Sequence, residues 1–107
     1  MRHKNVVQFI GVCTVEDHLC IVTEFMEGGS LYEAYRQRRQ SRISPLVVIK
    51  IGIDVARGMD YLHRSGIVHR DLKASNLLMD EYGVVKVKNP NPNPPQRPIP
   101  SELVIAN

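Results

Sequence analysis

His69-Arg70-Asp71-Leu72-Lys73-Ala74-Ser75-Asn76, followed directly by Leu77-Leu78, gathers an imidazole, two cations, a carboxylate and a primary amide within eight residues. On its own, a histidine, arginine and aspartate in a row reads as a polar turn joining a helix to two short strands. The surroundings make the run more specific. A long helical pattern precedes it, and Ile67-Val68 is expected as a short strand leading in. After it, Leu77-Leu78-Met79 and Val84-Val85-Lys86-Val87 flank the turn Asp80-Glu81-Tyr82-Gly83.

In this context the run resembles the catalytic loop of a protein kinase. The resemblance implies a role for each polar residue. Asp71 would accept the hydrogen bond of a substrate hydroxyl, align it for in-line attack and take its proton. Lys73 would offset negative charge on the transferred phosphoryl group, and Asn76 would offer a neutral amide oxygen to magnesium. His69 would pack internally, and Arg70 would receive an activation-segment phosphate. ATP and magnesium are the implied cofactors, and a hydroxyl-bearing protein side chain is the implied substrate.

A second stretch agrees. Val6 to Thr14 and His18 to Phe25 are runs rich in Val, Ile, Phe and Thr, separated by a polar turn at Glu16 and Asp17, and they predict an antiparallel hairpin. Ile21-Val22-Thr23-Glu24-Phe25-Met26 then resembles the last strand of a kinase small lobe running into the hinge, near residues 24–29. By that resemblance Thr23 is the gatekeeper, the backbones of Glu24 and Met26 bond the adenine edge, and Leu78 forms the floor beneath the ring. Arg2-His3-Lys4-Asn5-Val6-Val7-Gln8-Phe9-Ile10-Gly11, with Leu19 to Met26 and Asn76 to Asp80, resembles the plant Raf-like group of serine/threonine/tyrosine kinases. Lys73 stands where serine/threonine-type members carry lysine.

Two helices are legible from their ends. Ser30-Leu31-Tyr32-Glu33 is a capping box opening a short helix whose far end is rich in arginine: Arg36, Arg38, Arg39 and Arg42. Ser44-Pro45 opens a second, with serine at the cap and proline at the first turn, where its missing N–H costs nothing. From Leu46 to about His63, Val48, Ile51, Val55, Met59 and Leu62 recur at steps of three and four. Ile49, Ile53 and Ala56 make a second stripe, so this helix expects burial on several sides. The fold class that the resemblance implies is α+β, an incomplete protein-kinase-like fold of small-lobe hairpin, hinge, two large-lobe helices, catalytic loop and short hairpin, with a disordered Pro-rich tail.

What the 107 residues lack bears equally on function. No G-x-G-x-x-G occurs, no lysine stands in a candidate phosphate-binding strand, and no aspartate follows Asp80. In the family, the strand matching Val84 to Val87 leads to an Asp-Phe-Gly whose carboxylate holds magnesium. Here Lys88 to Pro100 contains six prolines in thirteen residues, which favours extended or disordered backbone. The expected organisation is a partial kinase domain over 1–87 and a Pro/Asn-rich tail over 88–107, joined abruptly as in a truncated or alternatively spliced product. ATP binding and catalysis by such a chain alone are expected to be negligible. The alternatives are a noncatalytic fragment competing with a parent kinase, or a product without function.

Charge and composition narrow the partners. The net charge of +3 is modest, and the arginines are not interleaved with aromatics, so no nucleic-acid partner is expected. Pro95-Gln96-Arg97-Pro98 holds a P-x-x-P pattern of the kind an SH3-type groove accepts. No signal peptide, lipidation motif or apolar run of membrane-spanning length occurs, so the expected setting is cytoplasmic, with Cys13 and Cys20 as reduced core thiols facing each other across the hairpin.

Overall fold

The computed structural model describes residues 2–36 and 43–89 together with the backbone of 104–105. The predicted hairpin forms from β1 (Phe9–Val15) and β2 (His18–Thr23), paired antiparallel with Val15 opposite His18 and Cys13 opposite Cys20. Its turn places Glu16 at φ 50° and Asp17 at φ 66°. Two successive positive φ values twist the backbone in the sense that antiparallel strands require. A register shift between Phe9 and Gly11 marks a bulge at Ile10, which bends the strand as it leaves the sheet.

Both expected strand limits move. Phe25 lies beyond β2 and is exposed. Val6 belongs to a different core: it bridges Val87 in parallel, while Val7 N–H donates to the Val87 carbonyl and Val87 N–H to that of Asn5. The apolar run from Val6 onward thus serves two surfaces in succession, which the composition of the run does not announce.

The helices start where their caps predict. Ser30 Oγ accepts the Glu33 N–H at 3.1 Å and opens α1 (Leu31–Arg36), and Ser44 Oγ accepts the Leu46 N–H at 3.3 Å to open α2 (Pro45–Arg64). Arg38, Arg39, Arg42 and the P-x-x-P run lie outside the described residues. Ile67-Val68 is not a strand; the Ile67 N–H instead returns to the Leu62 carbonyl and closes the end of α2.

A second sheet holds β3 (Gly29–Ser30), β4 (Leu77–Met79) and β5 (Val85–Val87), in that order and all antiparallel. The turn between β4 and β5 is organised by Asp80, whose Oδ1 accepts the N–H groups of Tyr82 and Val84, and by Gly83 at φ 81°. One face of α2 packs on β5: Val6, Leu62 and Val87 form the buried centre, with Val55, Met59, Tyr61, Ile67 and Leu77 around it. Gly58 allows this approach, since a Cβ there would collide with the Asn5 carbonyl oxygen and press on Val87. The second stripe of α2 is uncovered among the described residues, with Ile49 58% exposed.

The tail differs from expectation in its last described piece. Val104–Ile105 forms β6, which pairs in parallel with Ile21 and Val22 along the edge of β2 opposite β1. Lys88 and Asn89, assigned to the tail from sequence, pack against the folded part: the Lys88 N–H donates to the Asn76 carbonyl, and Asn89 is buried.

Candidate functional site

The loop after α2 turns back on itself around His69. Its ring is buried, with Nδ1 accepting the Asp71 N–H at 3.1 Å and Nε2 lying 2.7 Å from the Lys88 carbonyl oxygen. A carbonyl only accepts, so Nε2 carries the proton and Nδ1 is bare, a neutral tautomer fixed by its two partners. Arg70 sits at φ 66°, an uncommon setting for a long side chain, and this reversal lets the Asp71 N–H turn back onto the His69 imidazole. The Arg70 side chain is exposed.

Asp71, Lys73 and Asn76 converge on one exposed spot. Asn76 Nδ2 donates to the Asp71 carbonyl at 2.8 Å and to Asp71 Oδ2 at 3.1 Å, and Lys73 Nζ lies 3.6 Å from Asp71 Oδ1. Because both partners of the amide are acceptors, the NH2 end must face Asp71 and the Asn76 Oδ1 is left for another donor or a cation. A 3-10 turn over Ala74–Asn76, closed by the Asn76 N–H on the Lys73 carbonyl, sets this five-residue geometry. The carboxylate is thereby aimed by an amide on one oxygen and a cation on the other, an arrangement able to accept a hydroxyl proton.

Among the described residues no group of three His, Cys, Asp or Glu side chains converges. Asn76 Oδ1 and the Asp71 carboxylate are the oxygens that would meet a magnesium ion, which completes its shell with water and phosphate oxygens.

A cleft of about 460 Å3 opens between α1, the 3-10 turn and the β3/β4 part of the second sheet, lined by Met26, Gly29, Ser30, Tyr32, Glu33, Arg36, Ser75 and Leu78. Two of the four residues expected at adenine, Met26 and Leu78, share this cleft. Thr23 and Glu24 stand on the segment leading into it, where Thr23 Oγ1 donates to the Glu24 carbonyl at 3.3 Å. Among the described residues the Met26 N–H meets no internal acceptor, while its carbonyl takes the Gly29 N–H at 3.1 Å. Gly28 donates to the Met79 carbonyl and has no room for a Cβ against Met79, so β4 clamps the linking segment from below.

Several supporting residues have no signature in the sequence. The Glu24 carboxylate accepts the Gln8 N–H at 2.7 Å and pairs with Lys86 Nζ at 2.9 Å, tying β2 to β5. Asn5, fully buried, donates its amide to the Val85 carbonyl at 2.9 Å. Asp54, 5% exposed on α2, accepts the Val85 N–H at 3.0 Å and Lys50 Nζ at 2.8 Å, and Lys50 also bonds the Gly83 carbonyl. Burial alone would raise the Asp54 pKa, but the Lys50 and Val85 hydrogen bonds and the charges of Lys50 and Lys4 outweigh it and hold the carboxyl below its ordinary range. A polar residue within an apolar helical stripe was the one available hint for Asp54. Glu24 and Lys86 are 62 residues apart, and no local pattern links them.

Comparison with known proteins agrees with this architecture. Residues 1–91 match the family described as protein tyrosine and serine/threonine kinase. The Arabidopsis thaliana serine/threonine-protein kinase STY46 is 59% identical over 87 residues, covering 81% of this chain and 15% of that protein. Serine/threonine-protein kinase STY17 of the same plant is 56% identical over 88 residues, again 81% of this chain and 15% of that protein. Serine/threonine/tyrosine-protein kinase HT1, also from Arabidopsis thaliana, is 41% identical over 85 residues, 79% of this chain and 22% of that protein. The chain thus spans a small fraction of the length of these relatives. With a match across most of its residues, it belongs to the protein tyrosine and serine/threonine kinase family.

Proposed function

We propose that this chain is cytoplasmic and carries the catalytic loop and adenine-side hinge of an ATP-dependent kinase acting on serine or threonine, and by extension tyrosine, of a protein substrate. Asp71 is the base that receives the hydroxyl proton, Lys73 offsets phosphoryl charge, and Asn76 supplies a neutral oxygen. Met26 and Leu78 hold the adenine, with Thr23 and Glu24 behind them. The convergence of Lys73 and Asn76 on the two oxygens of Asp71 carries this reading. The partial-domain organisation over 1–87 is part of it.

We further propose that these 107 residues alone transfer no phosphate, because no aspartate follows Asp80 to supply the principal metal ligand that phosphoryl transfer requires. The test is a chimera in which residues 1–87 replace the aligned segment of STY46. The chimera should phosphorylate a serine- or threonine-containing acceptor, and Asp71→Asn within it should cost at least about a hundredfold in rate. A folded chimera without activity, or one indifferent to Asp71→Asn, refutes the site. Transfer by the 107 residues alone that vanishes in Asp71→Asn refutes their inactivity and leaves the site standing.

A further inference from the structure

Cys13 and Cys20 are directly opposed in the β1/β2 ladder, so their side chains leave the same face of the hairpin. Opposed residues in an antiparallel pair have Cα atoms about 4.5–5.5 Å apart, inside the roughly 4.4–6.8 Å that a disulfide spans. The two thiols differ in access. Cys13 is exposed and Cys20 is 2% exposed, so only one of the expected core thiols is in the core. The Cys20 Sγ rests 3.8 Å from the His18 carbonyl oxygen. Burial raises the Cys20 thiol, and the neighbouring Cys13 thiol raises it further.

We propose that Cys13 and Cys20 form a thiol–disulfide exchange pair, with Cys13 the entry thiol and Cys20 the resolving thiol, which closes a cross-strand disulfide between β1 and β2 when the chain meets a small-molecule disulfide such as glutathione disulfide. In the first step the Cys13 thiolate attacks one sulfur of glutathione disulfide, expels one glutathione thiolate and forms a mixed disulfide. In the second, the Cys20 thiolate attacks the Cys13 sulfur and expels the second glutathione. The protein gives up two electrons and two protons, and one glutathione disulfide becomes two glutathiones. Exposure assigns the first step to Cys13, and opposition in the ladder keeps Cys20 within reach for the second without opening the core. The disulfide would weld together the two strands whose shared end runs into residues 24–29. This inference is independent of the kinase reading.

The test equilibrates the full chain with glutathione/glutathione disulfide buffers, traps free thiols by alkylation and maps the products by mass spectrometry, once in native buffer and once in urea. The expected product is an intramolecular Cys13–Cys20 disulfide whose ring-closure constant in native buffer exceeds that in urea by at least about tenfold, since the fold and not the short connecting segment must supply the effective concentration. The Cys20→Ser chain should instead accumulate the mixed disulfide at Cys13. Equal closure constants in the two solvents overturn the proposal, as does a wild-type chain that stops at the mixed disulfide or forms intermolecular dimers. The native-against-urea comparison uses the unaltered chain and decides the question even where a serine variant fails to fold.

Discussion

Replacing Asp54 should weaken the chain in a way that depends on pH. Its carboxylate is the acceptor for the N–H of Val85, a residue with no exposed surface, and for Lys50, whose side chain is about half exposed. A buried hydrogen bond to a charged group contributes about 1.5–3 kcal/mol. The half-exposed end of the pair adds no more than about 0.5 kcal/mol. Asp54→Ala also strands the Val85 N–H in the core, and because that cost overlaps the first, the expected loss is about 3 kcal/mol. Asp54→Asn keeps an acceptor oxygen and should lose about half as much. The folded-state pKa of Asp54 lies below its ordinary value of 3.8, so its contribution is present above that value and disappears as pH falls through the folded one. Urea unfolding of the full chain followed by circular dichroism at pH 7 and pH 3 checks both parts. With a slope of about 1–1.5 kcal/mol/M for a chain this small, Asp54→Ala should move the pH 7 midpoint down by about 2–3 M. The wild-type chain should lose more stability between pH 7 and pH 3 than Asp54→Asn does. A variant with an unchanged midpoint, or one with the full wild-type acid loss, would refute the assignment of Asp54 as the strut between α2 and β5.

Three further outcomes follow from named contacts. Gly58→Ala pushes a methyl group into the Asn5 carbonyl and Val87, so α2 must move off β5; thermal unfolding should show a loss of about 1–3 kcal/mol, and an unchanged transition would mean the two elements do not touch as described. Lys86→Met leaves the half-buried Glu24 carboxylate without its cation and should cost about 1–2 kcal/mol, most of it recovered when Glu24→Gln is added; additive losses in that double-mutant cycle would deny the pair. A chain ending at Asn89 lacks β6, so amide exchange along β2 should accelerate at Ile21 and Val22 while Leu62 stays protected; equal exchange with and without residues 90–107 would exclude the parallel pairing.

The expectations that held were those resting on short-range chemistry. Ser30 and Ser44-Pro45 announced helix starts because a hydroxyl two or three residues from an orphan N–H satisfies it in most surroundings. Glu16-Asp17 announced a turn because two polar residues between apolar runs leave the chain little else to do. The run from His69 to Asn76 was legible for the same reason: Asp71, Lys73 and Asn76 are close enough in sequence that one 3-10 turn brings them together. The expectations that shifted depended on distant partners. Ile67-Val68 has strand composition, but no strand among the described residues pairs with it, and the end of α2 takes the Ile67 N–H. Val6 has strand composition too, yet Val87 claims it for the helix-facing core and leaves the hairpin to begin at Phe9.

By itself, then, the sequence determined the kinds of element, most of their caps and turns, and the cluster around Asp71, because these follow from backbone propensity and covalent spacing. The tertiary structure alone decided that Glu24 pairs with Lys86, that Asp54 and Asn5 both hold Val85, and that Val104–Ile105 lies along β2. A glutamate is chemically satisfied by any of the chain's many cations, and an open strand edge by any extended backbone. Which partner it meets is settled only when the burial of Val6, Leu62 and Val87 fixes where each strand must run.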